Sequence, residues 1–333
     1  MTDATETLDG AAPQAAGAPL LDSIPGTPVA PGLAPAAVPD PTSVRPACGD
    51  GGDCGCGCGG ARKAGGCGCG GGGGPVGFVY AIGDVRARFP DQSLEQEFRA
   101  VAGLRSDAAI SRRELYTVLS QAPNIYIARD MCWVFLVEGV EVYLVVPRSF
   151  VELSDLIMAL QPDPTERTNT LVVGTLGPVA PASMCNGVQL PLVNATQVYH
   201  YTNAALIQSI IEHARVIGTT LPEDVVRQTL LVLQELGDNT GQSDEHRAIN
   251  FMTVRALDIY VTAAELFEEP RPFQIASVSA QPSRLSGTRR IVDVIFSFNN
   301  TVSNEVRRYF ARVDVTGLFP FLASPVQQYF DRP

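Results

Sequence analysis

Six of the eight cysteines in this 333-residue chain lie in one glycine-filled tract, and thiol chemistry is the first function that they suggest. They are Cys48, Cys54, Cys56, Cys58, Cys67 and Cys69. Thiolates at Cys-x-Cys spacing can bridge soft ions such as Zn²⁺ or Cu⁺. Structural zinc sites, in contrast, usually place about two to four residues between paired cysteines and need an ordered scaffold. Zinc or copper binding by the tract is therefore a hypothesis, and the spacing alone assigns no metal site.

The same tract has two other interpretations. Alternating glycine and cysteine is similar to the core of ribosomal peptides whose cysteines are cyclised to thiazolines and thiazoles. Glycine before a cysteine leaves the preceding carbonyl unhindered, so that the thiolate can attack it. The third interpretation is an inert spacer that has grown by repeat expansion. Composition does not decide among metal binding, modification and a spacer.

The first 75 residues, which contain the tract, have the composition of a tether. They are rich in proline, alanine and glycine and have almost no aromatic side chains. Such a segment cannot bury enough apolar surface to offset the entropy lost on ordering. The sequence therefore predicts a disordered N-terminal tail over residues 1–75 and a globular domain over residues 76–333.

Charge and lysine usage exclude several classes of function. The net charge is −11 and the isoelectric point is near 4.8, with no basic stripe, so we expect neither nucleic-acid nor membrane binding. Lys63 is the only lysine among 24 lysine and arginine residues. The globular part therefore has no lysine for a P-loop, a pyridoxal Schiff base or a Ser-Lys dyad.

The N-terminus predicts a cytoplasmic protein. Asp3 and Glu6 stand where a signal peptide carries basic residues, and no apolar stretch follows them. Cytoplasmic thiols stay reduced. We therefore expect Cys132 and Cys185, the two cysteines outside the tract, to be buried structural thiols rather than part of a disulfide framework.

The densest polar segment of the globular part runs from residue 238 to residue 250. It combines a loop with a helix start, where anions and peptide carboxylates are often held. Its candidate partner-binding residues are Asp244, His246, Arg247 and Asn250, and His246 is near enough to Asp244 and Asn250 in the sequence for the three to form a network. The alternative is that Ser243 and Asp244 only cap the helix, that Arg247 is solvated and that His246 packs.

A second polar cluster precedes a predicted strand. Arg284, Ser286, Arg289 and Arg290 surround a glycine turn, and guanidinium groups can clamp a carboxylate or phosphate with two hydrogen bonds. The alternative is a solvated loop whose arginines pair with the protein's own carboxylates. Asp293 in one predicted strand and Arg308, Arg312 and Asp314 in the next also predict ion pairs within the sheet. Neither cluster forms a recognised catalytic motif, and the sequence has no Gly-x-Ser-x-Gly and no His-Glu-x-x-His. The sequence therefore leans away from an enzyme.

Apolar spacing and capping signals predict an α+β fold with a mostly antiparallel sheet, in which a central helical segment separates two groups of strands along the chain. Two strands are expected to form a hairpin at Glu138-Gly139. Strands are predicted over residues 78–85, 132–137, 142–146, 171–174, 274–278, 291–298 and 306–315. Helices are predicted over residues 94–101, 111–121, 150–160 and 203–216, from Pro222 to just before Gly237, and after Ser243.

An ordered set of motifs resembles the C-terminal domain of the cyanobactin maturation proteases, the PatG/PatA family. The resemblance runs across nearly all of residues 78–332. The motifs include Tyr80-Ala81-Ile82-Gly83, Arg88-Phe89-Pro90, Leu119-Ser120-Gln121, Cys132-Trp133, Cys185-Asn186-Gly187, Thr240-Gly241, Asp244-Glu245-His246-Arg247, Pro282-Ser283-Arg284-Leu285 and Val292-Asp293-Val294.

The resemblance implies a role in ribosomal peptide maturation and supplies no reaction. In the proteases this domain follows a subtilisin-like catalytic domain, and residues 1–75 contain nothing that would replace it. We therefore expect a non-catalytic binding or scaffolding protein that engages a precursor peptide or a peptide-modifying enzyme, with a homo-oligomer also compatible with the sequence. The alternatives are a carrier fused to a modified Gly/Cys core and a thiol metal-binding protein.

Overall fold

Two β-sheets, one closed and one open, organise the chain, and helices pack on both. The computed structural model describes residues 77–162, 168–235, 239–285 and 287–330. All of them belong to one compact unit. The predicted disordered tail and its six clustered cysteines lie outside the described residues.

The closed sheet is a five-stranded barrel. Its order is β1-β2-β3-β5-β4, and β4 pairs in turn with β1. Only β3 and β5 run parallel, and the other neighbours in the barrel run antiparallel. The strands are β1 (Phe78–Arg88), β2 (Cys132–Val137), β3 (Val140–Pro147), β4 (Thr168–Val179) and β5 (Pro191–Thr202).

Short helices pack on the barrel and share its core. Their starts follow from local sequence: Ser111 and Ser149 each form a capping box with a glutamate three residues later. The buried side chains Phe98, Ile127 and Leu156 pack into the same cluster as strand residues of the barrel. These helices are α1 (Gln92–Ala102), α2 (Arg112–Leu119), α3 (Ile125–Asp130) and α4 (Phe150–Met158).

The C-terminal part of the described chain is a helical layer followed by an open antiparallel sheet in the order β6-β7-β8-β9. Helix α7 contacts β1 of the barrel as well as β6 and β7, so it joins the two sheets. The helices are α5 (Asn203–Val216), α6 (Glu223–Gln234), α7 (Asp244–Arg255) and α8 (Leu257–Phe267), and the strands are β6 (Phe273–Pro282), β7 (Ile291–Asn300), β8 (Val306–Asp314) and β9 (Phe321–Gln328). None of the described helices has the length and apolar character needed to cross a membrane.

Strand β1 pairs with a neighbouring strand along only part of each edge. At Tyr80, the loop before α7 and Asn250 of α7 supply the hydrogen bonds that a strand would otherwise make. Residues 78–83 pair with β4 and residues 84–88 pair with β2. The Tyr80 N–H donates to the carbonyl oxygen of Gly241 (2.9 Å), and the Tyr80 carbonyl accepts from Nδ2 of Asn250 (2.8 Å). Gly241 has a φ of +69°, and a Cβ there would lie 2.4 Å from the Tyr80 oxygen. Glycine is therefore required where the loop meets the strand.

Cys132 and Cys185 form a disulfide, which corrects the expectation of two reduced thiols. Their Cα atoms lie 5.7 Å apart, within the range that a disulfide spans. The bond ties β2 to the loop between β4 and β5, inside a small apolar cluster that includes Val134 and Leu144. The prediction failed because it rested on the expected compartment, whereas pairing depends on the distance between two residues that are 53 positions apart in the sequence.

The α+β fold class and the mostly antiparallel pairing are confirmed, and so are the capping box at Ser111 and the hairpin at Glu138-Gly139. The sequence did not predict that the strands divide into a barrel and a separate sheet. It also did not predict β5, β9, α3 or α8. Gly237, expected just beyond α6, lies outside the described residues.

Candidate functional site

The two polar clusters predicted from the sequence meet in space. Asp244 opens α7, and its Oδ1 accepts a hydrogen bond from a guanidinium nitrogen of Arg290 (3.1 Å). The backbone N–H of Arg290 donates to Oγ1 of Thr316 (2.7 Å), which fixes the loop before β7 against the end of β8. One surface therefore combines the start of α7 with the β6–β7 loop.

Arg247 lies under this surface and holds the fold together. Its side chain is 1% exposed, and its guanidinium donates to the carbonyl oxygens of Val315 (2.7 Å), Gly317 and Leu318 (3.2 Å). It also lies 3.6 Å from the Asp244 carboxylate. Burial lowers the pKa of Arg247 to about 10, and the negative charge of Asp244 opposes that shift. We call Arg247 and these three carbonyls the arginine clamp.

Asn250 is also buried, and its partners are Asn239 and Tyr80. Its Nδ2 donates to Oδ1 of Asn239 (3.1 Å) and to the Tyr80 carbonyl, and its Oδ1 accepts from Nδ2 of Asn239 (2.7 Å). The sequence suggested a network of His246 with Asp244 and Asn250. His246 occupies the third position of α7, where its N–H is capped by Ser243 (3.1 Å). Arg247 therefore supports the surface from below without contacting a partner. Asn250 is held in place by Asn239 and Tyr80.

The remaining arginines stay at the surface. Arg289 is 59% exposed, although its Nε lies 2.7 Å from the fully buried carboxylate of Asp314. Arg290 is 45% exposed, and Arg284 is exposed. We call Arg284, Arg289 and Arg290 the arginine edge. Ser286, the fourth candidate of this loop, lies outside the described residues. Ion pairs within the open sheet were also expected, and the Arg312–Asp293 contact at 3.2 Å confirms them.

A second candidate site, which the sequence did not predict, is a cavity of about 340 Å³ beside Ile82 and Gly83 of β1. Five carboxamide side chains line it, together with the carboxylates of Glu138 and Glu235 and a small apolar surface. The carboxamides are Asn169, Asn203, Gln234, Asn239 and Asn250. We call it the carboxamide cavity. Its volume lies at the lower end of the range for small-ligand sites, which is roughly 300–1,000 Å³.

Three of the carboxamides form a chain of hydrogen bonds across the cavity wall. Nδ2 of Asn169 donates to Oδ1 of Asn203 (2.8 Å). Asn203 and Gln234 exchange two hydrogen bonds of 3.2 Å each. These contacts fix the amide planes, and they use only part of the capacity of each group, since a carboxamide has two N–H donors and two acceptor positions.

The carboxylates of the cavity come from a turn and a helix end. Glu138 follows β2 in the hairpin turn and has a φ of +50°, a conformation that only glycine, asparagine and aspartate adopt readily. Glu235 is the residue that ends α6, where the helix dipole is negative. Both side chains belong to exposed residues. The opening of the cavity is therefore acidic, whereas the arginine edge is basic.

Neither predicted thiol chemistry nor a metal centre can be placed among the described residues. Cys132 and Cys185 are joined to each other, so neither offers a thiol in this structure. Within residues 77–330, apart from the undescribed positions, no group of three or more His, Cys, Asp and Glu side chains is arranged to hold a metal ion. The Zn or Cu hypothesis concerns the tract over residues 48–69 and remains a prediction.

These features define a two-sheet α+β domain, with a buried clamp at the junction and polar surfaces on either side. The chain belongs to the PatG family. The family described as PatG Domain matches residues 78–266, and the family described as PatG C-terminal matches residues 219–329. Neither description is that of a protease, and together the matches cover the stretch over which the sequence resembles the C-terminal part of the maturation proteases.

A solved structure described as "PatG Domain of Unknown Function" has the same fold. It superposes with a TM-score of 0.58 at 19% sequence identity, over 76% of this chain and 98% of that chain. At this identity the likeness concerns the fold alone. No curated protein matches the chain significantly.

Proposed function

We propose that this protein is a binding or scaffolding component of ribosomal peptide maturation of the cyanobactin type, and that it engages a precursor peptide or a peptide-modifying enzyme. Membership of the PatG family connects the chain to cyanobactin maturation. Its proposed contact surface is the arginine edge together with the start of α7.

The observation that carries the proposal is the meeting of Asp244 with Arg290. It places two sequence clusters, 46 residues apart, on one surface and leaves the guanidiniums of the arginine edge accessible. Guanidinium groups bind carboxylates with two parallel hydrogen bonds, so an acidic stretch of a peptide or enzyme is the partner chemistry that fits. The clamp beneath keeps the surface rigid, which lowers the ordering cost of binding.

The test is binding of the full-length protein to co-encoded precursor peptides and enzymes, measured by affinity capture and then by titration. We expect capture of at least one, with an affinity that falls as salt is raised. The variant Arg284→Gln/Arg290→Gln should weaken binding by about tenfold, because two guanidinium contacts are lost. Arg289 is left in place because it neutralises the buried Asp314.

Arg105→Gln/Arg113→Gln is the matched control, because it also removes two guanidiniums. Arg105 is 84% exposed with the surface residue Asp107 as its ion-pair partner, and Arg113 is exposed, so the variant changes charge outside the arginine edge. Equal losses in both variants would show that only net charge matters. Failure of the full-length protein to capture any co-encoded peptide or enzyme would reject the proposal.

The alternatives that involve the Gly/Cys tract remain predictions. Intact mass of protein from its native host tests the modified-core alternative, because each thiazoline would lower the mass by one water. Metal analysis of the same sample tests zinc or copper binding. A cytoplasmic location likewise remains a prediction.

A further inference from the structure

The carboxamide cavity combines unused amide capacity with two carboxylates. In the Asn169–Asn203 contact, the Asn169 amide donates, and no described residue donates to its carbonyl oxygen. The Nδ2 of Asn203 spends one hydrogen on Gln234 and has no second acceptor among the described residues, whereas Gln234 interacts with both Asn203 and the Tyr201 side chain. The wall therefore presents donors and acceptors side by side.

The buried pair at the base of the cavity has the same property. Among the described residues, Nδ2 of Asn239 donates only to Asn250, which leaves its second hydrogen for another acceptor. Both residues are more than nine-tenths buried, at 8% and 3% exposure. Desolvated polar groups with unused capacity favour a ligand that supplies the missing partners. A peptide group supplies one donor and one acceptor, so peptide backbone is the matching chemistry.

The charges around the cavity determine which ligand charge is favoured. Glu138 and Glu235 line it, and none of the described residues that line it is an arginine. The C-terminal end of α6, which terminates at Gln234, adds the negative end of a helix dipole. The opposite wall contains the N-terminus of α5, which is the positive end of its helix dipole. The Thr202 hydroxyl already accepts from the Ala205 N–H there (3.1 Å), so fewer backbone N–H groups are left to attract an anion. A cation is favoured over an anion.

The backbone at Glu138 supports a role for its carboxylate. A left-handed conformation costs an ordinary residue about 1–2 kcal/mol relative to glycine. The preferred residues at the first position of such a hairpin turn are asparagine and aspartate. A glutamate held there places a longer acidic side chain at the cavity, and strained residues of this kind concentrate at binding sites.

We propose that the carboxamide cavity binds a cationic peptide segment, with the amides pairing to its backbone and Glu138 and Glu235 holding a lysine or arginine side chain. The proposal goes beyond the binding role assigned to the arginine edge and does not depend on it. The two proposed sites bind ligands of opposite charge. A negative binding result for one site therefore does not bear on the other.

The experiment titrates the full-length protein with the capped tripeptide acetyl-Ala-Lys-Ala-amide, followed by calorimetry or saturation-transfer NMR. The norleucine analogue lacks the charge, the glutamate analogue reverses it, and butylamine keeps the amine without peptide groups. We expect the lysine peptide to bind at least about tenfold more tightly than each of the other three, because each removes one of the two proposed interactions.

Two variants test the carboxylates, and one serves as the control. Glu138→Gln and Glu235→Gln should each weaken binding of the lysine peptide by about fivefold to tenfold, since each removes one charge-assisted contact. Glu265→Gln changes an exposed glutamate on α8 that does not line the cavity, and it should leave binding unchanged. Thermal unfolding of each variant verifies that the fold is intact.

Crosslinking locates the bound amine. A carbodiimide joins a carboxylate to a nearby amine, and the protein's only lysine is Lys63, so competing crosslinks within the chain are few. Mass spectrometry should find the probe on Glu138 or Glu235. The proposal is overturned if the lysine and glutamate peptides bind equally or if butylamine binds as tightly as the lysine peptide. It is also overturned if the double variant Glu138→Gln/Glu235→Gln binds the lysine peptide as the wild type does.

Discussion

The arginine clamp and the carboxamide cavity are both polar regions at the junction of the barrel and the helical layer, yet they differ in what their groups still lack. In the clamp, Arg247 directs its terminal nitrogens at three carbonyl oxygens of one loop. In the cavity, Asn169, Asn203 and Gln234 bond one another and retain donors and acceptors. The clamp is closed to solvent, so its contacts stabilise the fold, although the buried Nε of Arg247 has no hydrogen-bond partner among the described residues. The carboxamides line a cavity that a ligand can enter, so their spare donors and acceptors can contribute binding energy.

The largest change in the free energy of unfolding should come from substitutions in the arginine clamp. Arg247→Ala leaves three carbonyl groups without donors and Asp244 without a buried counter-charge, so we expect a loss of about 3–5 kcal/mol in the free energy of unfolding. Arg247→Lys should restore little, because an ammonium cannot span the same carbonyls. Urea unfolding measures both. Arg290→Ala, which removes an exposed partner of the same Asp244, should cost under about 1 kcal/mol. If Arg247→Ala and Arg290→Ala lowered the free energy of unfolding equally, the buried clamp would stabilise the fold no more than an exposed ion pair does.

The disulfide gives a covalent counterpart to the clamp, since both tie a loop to a distant element. Reduction, or the double variant Cys132→Ala/Cys185→Ala, should lower the free energy of unfolding by about 2–4 kcal/mol, because the unfolded chain gains the freedom of a long loop. Urea midpoints with and without reductant measure this. If reductant leaves the midpoint of the wild type unchanged while iodoacetamide labels both cysteines, the bond contributes nothing to stability.

Gly241 connects the two regions, because its loop carries Asn239 into the cavity. Gly241→Ala would place a methyl group 2.4 Å from the Tyr80 oxygen, and we expect a loss of about 1–3 kcal/mol together with weaker binding of the lysine peptide. Gly218→Ala is the control, since Gly218 also has a positive φ (+84°) and has no atom within 4 Å of an added Cβ. Gly218→Ala should cost about 1 kcal/mol and leave binding intact. Equal losses of stability in the two variants would mean that the positive φ, and not the close contact with Tyr80, is the reason for glycine at position 241.

The smallest effect on stability should have the opposite sign. Glu138→Asn keeps the turn and relieves its backbone strain, so we expect the free energy of unfolding to rise by about 0.5–1 kcal/mol while affinity for the lysine peptide falls. Thermal unfolding and titration of the same sample measure both. A variant that is more stable and binds as well as the wild type would show that the strained glutamate has no part in the site.

Local signals predicted the local structure well. Ser111 with Glu114 marks the start of α2, and Gly103 ends α1 in the left-handed conformation. Strand β5 was missed because a bulge interrupts its alternation: Ala195 and Gln197 face consecutive residues of β4, and Thr196 is the extra residue. Periodicity cannot reveal a strand whose period changes partway along.

The site was harder to predict, and for a different reason. Arg247 stands among charged neighbours in the sequence, so it was expected to be solvated, yet its partners lie about 70 residues further on. The carboxamides of the cavity come from separate elements, and each looks like an ordinary surface residue alone. The contacts between clusters depend on tertiary pairing, which spacing along one chain does not encode.

The incomplete pairing of β1 has a consequence for the order in which the protein is made. The last strand of the barrel ends at Thr202, so the barrel can close once that residue has emerged from the ribosome. The Tyr80 edge must wait for Gly241 and Asn250, which takes on the order of a few seconds at ~5–20 residues per second. During that interval a nascent chain exposes an unpaired strand edge, and a chaperone or a second nascent chain would meet it there first.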